Sequence, residues 1–227
     1  MSYLQPAEFV AKMVDAGEAK TFLSTRDTLI RAYMAGAILA LAATANNDRV
    51  GLLLVTDRVE YFIPPDTGRR HTMRLVLDLL AHKPEGRGTA LSQGLRYADK
   101  VLRQRTTVFL ISDFLTGETA DPELTRSARK LAWYHDLVPI RLIDPSAGQL
   151  PNVGMLAVDD PETGLRRVVN TSRRTVRNAW KEHTEHTRER MDELFRDLQL
   201  DVVDIDTREE YLPPLIGFFR HRARIQR

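Results

Sequence analysis

The stretch Thr106-Thr107-Val108-Phe109-Leu110-Ile111-Ser112-Asp113-Phe114-Leu115-Thr116-Gly117 decides the fold. An unbroken apolar and β-branched run ends in Ser-Asp, then in turn residues. A short apolar run of this kind reads as a strand buried on both faces, and such strands belong to parallel sheets. Asp113 then stands at the carboxyl end of the strand, the edge of an open α/β sheet where ligands bind.

Working outward, the rest of the chain supplies strands and helices for the same sheet. Val50-Gly51-Leu52-Leu53-Leu54-Val55 reads as a second buried strand, and Val59-Glu60-Tyr61-Phe62-Ile63 as its hairpin partner. Two helices are expected over about 69–81 and 90–103. The first carries Met73, Val76, Leu77 and Leu80 on one face, and the second Leu91, Leu95, Ala98 and Leu102. Asp121-Pro122 opens a further helix, with aspartate as cap and proline in the first turn. Leu137-Val138-Pro139-Ile140-Arg141-Leu142-Ile143 is a strand closed by Asp144-Pro145. Residues 154–158 and 166–170 form a hairpin. Thr171-Ser172 caps a long charged helix to about Leu198, residues 200–205 form a last strand, and Thr207-Arg208-Glu209-Glu210 caps a final helix ending near Phe219. Strands alternating with helices give an α/β fold, a mostly parallel sheet with helices on both faces.

The first 45 residues read differently. Phe9, Val10, Met13 and Val14 recur at helical spacing, and Gly17 ends that helix. Ser24-Thr25-Arg26-Asp27 opens a second helix, apolar almost throughout to Ala45 but shorter in its apolar part than the ~20 residues that span a bilayer. Two units are therefore expected, a helical segment over 1–45 and an α/β domain over 46–227.

Composition narrows the function. The chain has 227 residues, 43% hydrophobic and 28% charged, with 33 basic against 31 acidic side chains and a formal net charge of +2. That balance does not point to nucleic acid. The chain has no cysteine, which removes disulfides, zinc–thiolate sites and thiol nucleophiles. The opening residues lack a secretory signal pattern, and a cytoplasmic setting is expected. No nucleophile elbow, zinc-protease helix or phosphate loop is present, so no enzyme activity is expected. Gly86-Arg87-Gly88 with Gly94 does not match dinucleotide spacing and reads as a loop. His183 and His186 lie three apart on the long charged helix, amid Glu182, Glu185 and Glu189, and read as a solvated face. Thr89 and Asp113 are the candidate metal ligands. A threonine after a glycine-rich loop and an aspartate after a buried strand would face one edge of the sheet, and a hard divalent cation takes such oxygen donors.

Asn47-Asp48-Arg49-Val50-Gly51-Leu52-Leu53, Gly86-Arg87-Gly88-Thr89-Ala90-Leu91, Leu110-Ile111-Ser112-Asp113-Phe114, Val138 to Pro145, Leu150-Pro151 and Tyr211-Leu212-Pro213-Pro214-Leu215 together resemble one bacterial family. It is the von Willebrand factor A-like domain-of-unknown-function family number fifty-eight. The resemblance implies a von Willebrand factor A-like fold and a non-enzymatic, protein-interaction role, with a MoxR-type AAA+ ATPase as partner. It also implies a metal-ion-dependent adhesion site built from an Asp-x-Ser-x-Ser loop, a threonine matching Thr89 and an aspartate matching Asp113. This chain has no such serine loop. Its nearest substitute is Asp15-Ala16-Gly17-Glu18-Ala19, with glycine and alanine for the serines. The site is therefore expected to be degenerate and Mg2+ to bind weakly or not at all. The first central strand is expected to be missing or replaced. Residues 3–42, with Tyr3-Leu4-Gln5-Pro6-Ala7-Glu8-Phe9-Val10 and Leu29 to Ala37, resemble the start of formate/nitrite transporters. They suggest a graft onto the α/β domain and, as an alternative function, membrane association through the apolar helix over 29–45.

Overall fold

A computed structural model of the protein describes residues 8–9, 12–15, 25–86, 88–115, 121–159 and 166–225. The organising stretch is strand β5 (Thr106–Ser112), buried along almost its whole length. The seven described elements before it are β1 (Glu8–Phe9), β2 (Lys12–Asp15), α1 (Thr25–Ala45), β3 (Val50–Val55), β4 (Val59–Asp66), α2 (Arg69–Ala81) and α3 (Leu91–Val101). After it come α4 (Pro122–Tyr134), β6 (Asp136–Ile143), β7 (Met155–Asp159), β8 (Arg166–Asn170), α5 (Arg174–Asp197), β9 (Val203–Asp206) and α6 (Leu212–Ile225).

Seven strands share one sheet, in the order β4-β3-β2-β5-β6-β9, with β1 beside β5. All neighbours are parallel except β3 and β4, which form an antiparallel hairpin at one edge. An edge position explains how β4 accommodates Pro64 and Pro65, which cannot donate to a ladder. Leu52, Leu53, Leu54, Val108 and Ile111 are sealed from solvent, as expected of strands covered on both faces. The layers are helical: α1 and α2 are neighbours, and α3 packs beside α4. β7 and β8 form a separate two-stranded hairpin. Arg141 on β6 ties the far side together. Its guanidinium grips Asp204 of β9 through two bonds of 2.7 and 2.9 Å and Asp192 of α5 at 2.5 Å, the two-pronged geometry that makes arginine–carboxylate pairs specific.

The amino-terminal segment departs most from its sequence reading. Residues 12–15 are not helical. They form β2, inserted between β3 and β5, with Lys12 to Asp15 in register with Leu52 to Val55 and Met13 and Val14 opposite Leu110 and Ile111. The central strand is thus neither missing nor left as a gap. Its backbone satisfies both flanking strands, each buried amide of which would otherwise cost about 1–3 kcal/mol. Helical spacing of Phe9, Met13 and Val14 was misleading because a central strand is apolar on both faces and leaves no period of two to detect. The reading of Val10, Gly17 and Ser24 lies outside the described residues. The expected boundary at residue 45 coincides with no break in the core: Ala35, Leu39 and Ala43 of α1 are buried in the same cluster as Leu53, Ile111 and Val138.

Three smaller expectations also change. In α2 the buried residues are Thr72, Leu75 and Leu79, so Met73, Leu77 and Leu80 face solvent. Thr171 does not cap α5; its hydroxyl donates to Gly154 O at 2.8 Å, and Arg173 takes the cap position with no side-chain cap bond. The last helix begins at Leu212 and runs past Phe219 to Ile225.

A proline at Val14 removes a donor from the middle of the sheet, where β4 carries its prolines at the edge. Val14→Pro is expected to lower stability by roughly 3 kcal/mol or more, read as a fall in the urea midpoint by circular dichroism. An unchanged midpoint would contradict the placement of β2.

Candidate functional site

Because β3, β2, β5, β6 and β9 run the same way, their carboxyl ends line one rim. In order across the sheet these ends carry Val55-Thr56-Asp57, Asp15, Ser112-Asp113, Ile143-Asp144 and Asp206-Thr207. Five adjacent strands therefore deliver acidic residues to one edge. Asp15 occupies the central place, in register with Val55 and directly following the Val14–Ile111 pair. Residues 16–19, the rest of the loop weighed as a cation cradle, lie outside the described residues.

Thr89 and Asp113 share this rim. The amide of Ala90 donates to Thr56 O at 2.7 Å, which fixes Thr89 beside the end of β3. Asp113 follows β5, two strand spacings or about 10 Å away, with the end of β2 between them. Thr89 is not the helix cap of α3; Ala90 holds that position, without a side-chain cap bond.

The turn after β5 is held by its own polar groups. Phe114 N–H donates to Ser112 Oγ at 3.0 Å and Leu115 N–H to Asp113 Oδ1 at 3.1 Å. Phe114 adopts a φ of 55°, which a bulky residue rarely does. Its ring is buried edge-on against Phe195 of α5, with centroids 5.1 Å apart. Packing thus holds a strained backbone in place at the rim, a pattern found at binding sites.

Burial pushes the Asp113 carboxyl above its ordinary range; the Leu115 amide and the nearby Arg188 guanidinium work against that, and Asp144 adds to it. Asp144 is itself buried, and its carboxylate accepts from Ser146 N–H and Oγ–H, both at 2.7 Å. Arg188 reaches over from α5 and donates to Asp144 O at 3.3 Å. Arg188 therefore sits at the ends of β5 and β6, acting to lower the Asp113 carboxyl and bonded to the main chain of Asp144. Sequence reading missed Asp144 and Arg188. Asp144 ends a buried strand just as Asp113 does, which was a usable signal; Arg188 is one of many charges on a 24-residue helix and carried none.

These donors suit a divalent cation poorly. Such an ion needs several ionised or hydroxyl oxygens. Here a guanidinium stands close to Asp113, and glycine and alanine occupy positions 17 and 19. Among the described residues no group of three or more histidine, aspartate or glutamate side chains is arranged to hold a metal. His183 and His186 are exposed on α5.

A second network positions the Thr89 loop. The Glu60 side chain on β4 is only 4% exposed and accepts from Thr56 Oγ1 at 2.9 Å, His82 Nε2 at 2.7 Å, and the amides of Glu85 and Gly86 at 2.9 and 2.5 Å. A side chain at Gly86 would meet Thr56 Oγ1 at 2.1 Å, so only glycine lets the loop approach this closely. Arg87 lies outside the described residues. Burial works to raise the Glu60 carboxyl, but the hydrogen bonds from Gly86, His82, Thr56 and Glu85 outweigh it and hold the group below the ordinary glutamate range. A folded pKa below the unfolded one stabilises the protein above the unfolded value, and that contribution is lost as pH falls through the folded value. Glu60→Gln is therefore expected to cost about 1–3 kcal/mol at pH 7 and progressively less below about pH 4, measured by urea unfolding across pH. An equal loss at every pH would contradict the role of the ionised carboxylate.

Comparison with known proteins agrees with this geometry. Curated relatives include uncharacterized proteins of Mycobacterium bovis and Mycobacterium tuberculosis, 28% identical over 138 residues, which is 60% of this chain and 42% of theirs. The match thus spans less than half the length of those relatives. Among solved structures, a conserved hypothetical protein BatB from Bacteroides thetaiotaomicron superposes with a TM-score of 0.58 at 13% identity, over 96% of this chain and 98% of the other. An aerotolerance-related membrane protein from Bacteroides fragilis gives 0.54 at 13% identity, over 87% and 91%. The pilus adhesin SpaC from Lactobacillus rhamnosus GG gives 0.56 at 10% identity, over 98% of this chain and 30% of the adhesin. At such identities these likenesses speak for the fold, which is von Willebrand factor A-like. The family described as protein of unknown function DUF58 matches residues 7–190, running without interruption through β2, α1 and the expected junction, so the transporter resemblance of residues 3–42 gains no support. The chain belongs to that DUF58 family.

Proposed function

We propose that this protein is a non-enzymatic interaction domain that binds a partner protein at its strand-end rim, and that the partner is a MoxR-type AAA+ ATPase. The observation that carries the reading is the rim itself: acidic residues delivered by adjacent parallel strands, beside a Phe114 turn held at positive φ. Such preorganised strand-end loops suit recognition, since little ordering entropy is lost on binding. The resemblance to the von Willebrand factor A-like family supports the choice of partner. The metal-ion-dependent adhesion site is degenerate in this reading, with Thr89 and Asp113 retained and Arg188 standing where cationic charge is needed.

The alternative of membrane association through residues 29–45 is less favoured. Among the described residues no helix is long and apolar enough to cross a membrane, and α1 buries Ala35, Leu39 and Ala43 in the protein core.

Calorimetry with a purified MoxR-type AAA+ ATPase from the same organism tests the proposal. Binding is expected with an affinity that changes less than about twofold between magnesium and chelator, and that falls at least roughly tenfold in Asp113→Ala. No binding, under conditions where a family member with both serines binds, would refute the partner. Strict magnesium dependence would refute the degenerate site.

A further inference from the structure

The helical layer formed by α1 and α2 carries an apolar surface with no cover among the described residues. From Ala32 to Ala45, α1 has no charged side chain, yet only one side of it is buried. Its outer side presents Met34 at 38% exposure and Leu41 at 48%. On α2 the outer stripe is Met73 at 42%, Leu77 at 60% and Leu80 at 56%. Positions 73, 77 and 80 follow the spacing of one helix face, as do 34 and 41. Helices that are apolar on all sides are normally buried on all sides, and contiguous exposed apolar patches mark interaction sites.

The two helices lie side by side and antiparallel. α1 connects the parallel strands β2 and β3 and so runs against them, whereas α2 follows β4, itself antiparallel to β3, and runs with them. The hydroxyls of Thr44 and Thr72 meet at 2.5 Å and join the end of α1 to the start of α2. A pair packed this way presents a groove between its ridges into which a third helix fits.

The charge on this layer selects the occupant. The exposed charges of α2 are Arg69, Arg70 and Arg74. Its one carboxylate, Asp78, accepts from Tyr61 Oη at 2.9 Å and pairs with Arg74 at 3.5 Å. Arg69 and Arg70 form no ion pair among the described residues. The charge beside the α2 stripe is therefore positive, carried by Arg69 and Arg70 in its first turn. A lipid surface would instead be met by cations ringing the apolar field.

We infer that the α1–α2 groove docks an amphipathic helix of a partner protein, one whose apolar stripe is flanked by acidic residues. The groove belongs to a helical layer rather than to the strand-end rim, and the inference stands without the ATPase reading. Helix-in-groove recognition uses anchors at i, i+3, i+4 and i+7, which matches the spacing offered by Met73, Leu77 and Leu80.

Two synthetic helical peptides of ~20 residues make the test, both with leucines at i, i+3, i+4 and i+7, one flanked by glutamates and its twin by lysines. Fluorescence anisotropy should show the glutamate peptide binding the full chain at least roughly tenfold more tightly than the twin. The double variant Leu77→Gln/Leu80→Gln should lose that binding, and Arg69→Glu/Arg70→Glu should reverse the preference. All four positions are exposed, so unchanged urea midpoints are expected and verify folding. Equal affinity for both peptides, or binding of neither, would overturn the inference. So would a homodimer in sedimentation equilibrium that dissociates in the leucine variant, which assigns the groove to a second copy. Sedimentation with phosphatidylserine vesicles in the absence of glutamate-peptide binding would overturn it in favour of lipid.

Discussion

The hydrogen-bonded insertion of β2 between β3 and β5 is the constraint on which everything else in this structure rests. Without it, two of the most deeply buried strands of the molecule would each face an unfilled row of amides and carbonyls. Closing directly on each other, they would bring the ends of β3 and β5 one strand spacing closer and change the rim. With β2 in place, Thr89 and Asp113 stand about 10 Å apart with the end of a third strand between them. The geometry of the site is thus a consequence of backbone pairing far from any functional side chain.

At the rim, polar contacts join the strand ends to one another and to the helical layer. A cation bound by carboxylates and hydroxyls joins several strand ends through one charge. Among the described residues, strand ends are joined by Arg188 near Asp113 and on the main chain of Asp144, by the Ser146 hydrogen bonds on Asp144, and by the Glu60 clamp on the loop leading to Thr89. Arg141, gripping Asp204 and Asp192, fixes α5 and β9 against β6 and so sets where Arg188 can reach. A guanidinium keeps its charge throughout the physiological pH range, so its part in this joining does not titrate away.

Much of this was legible in the sequence, for identifiable reasons. Val50–Val55 and Thr106–Ser112 were found because continuous apolar runs bounded by turns have few competing explanations. Leu91, Leu95 and Ala98 were placed correctly inward because α3 has a single apolar face. In α2 both faces carry leucine, and periodicity selected the wrong one; Leu75 and Leu79 are inside, while Leu77 and Leu80 are outside. The strand at Lys12–Asp15 was missed because four residues inside a sheet give no period, and a chance helical spacing filled the gap. At the site, Thr89 and Asp113 were legible from loop and strand position. Arg188 and Glu60 were not, because each acts through a contact across 44 or about 26 residues of sequence that no local pattern encodes.

Backbone amide exchange gives the most direct reading of the central claim. If Lys12–Asp15 form the middle strand, the amides of that strand bonded to β3 and β5 exchange as slowly as those of Leu110 and Ile111, through global unfolding alone. Exchange of the 12–15 amides within seconds, with β5 still protected, would show that β2 is not inserted and would remove the basis for the rim described here.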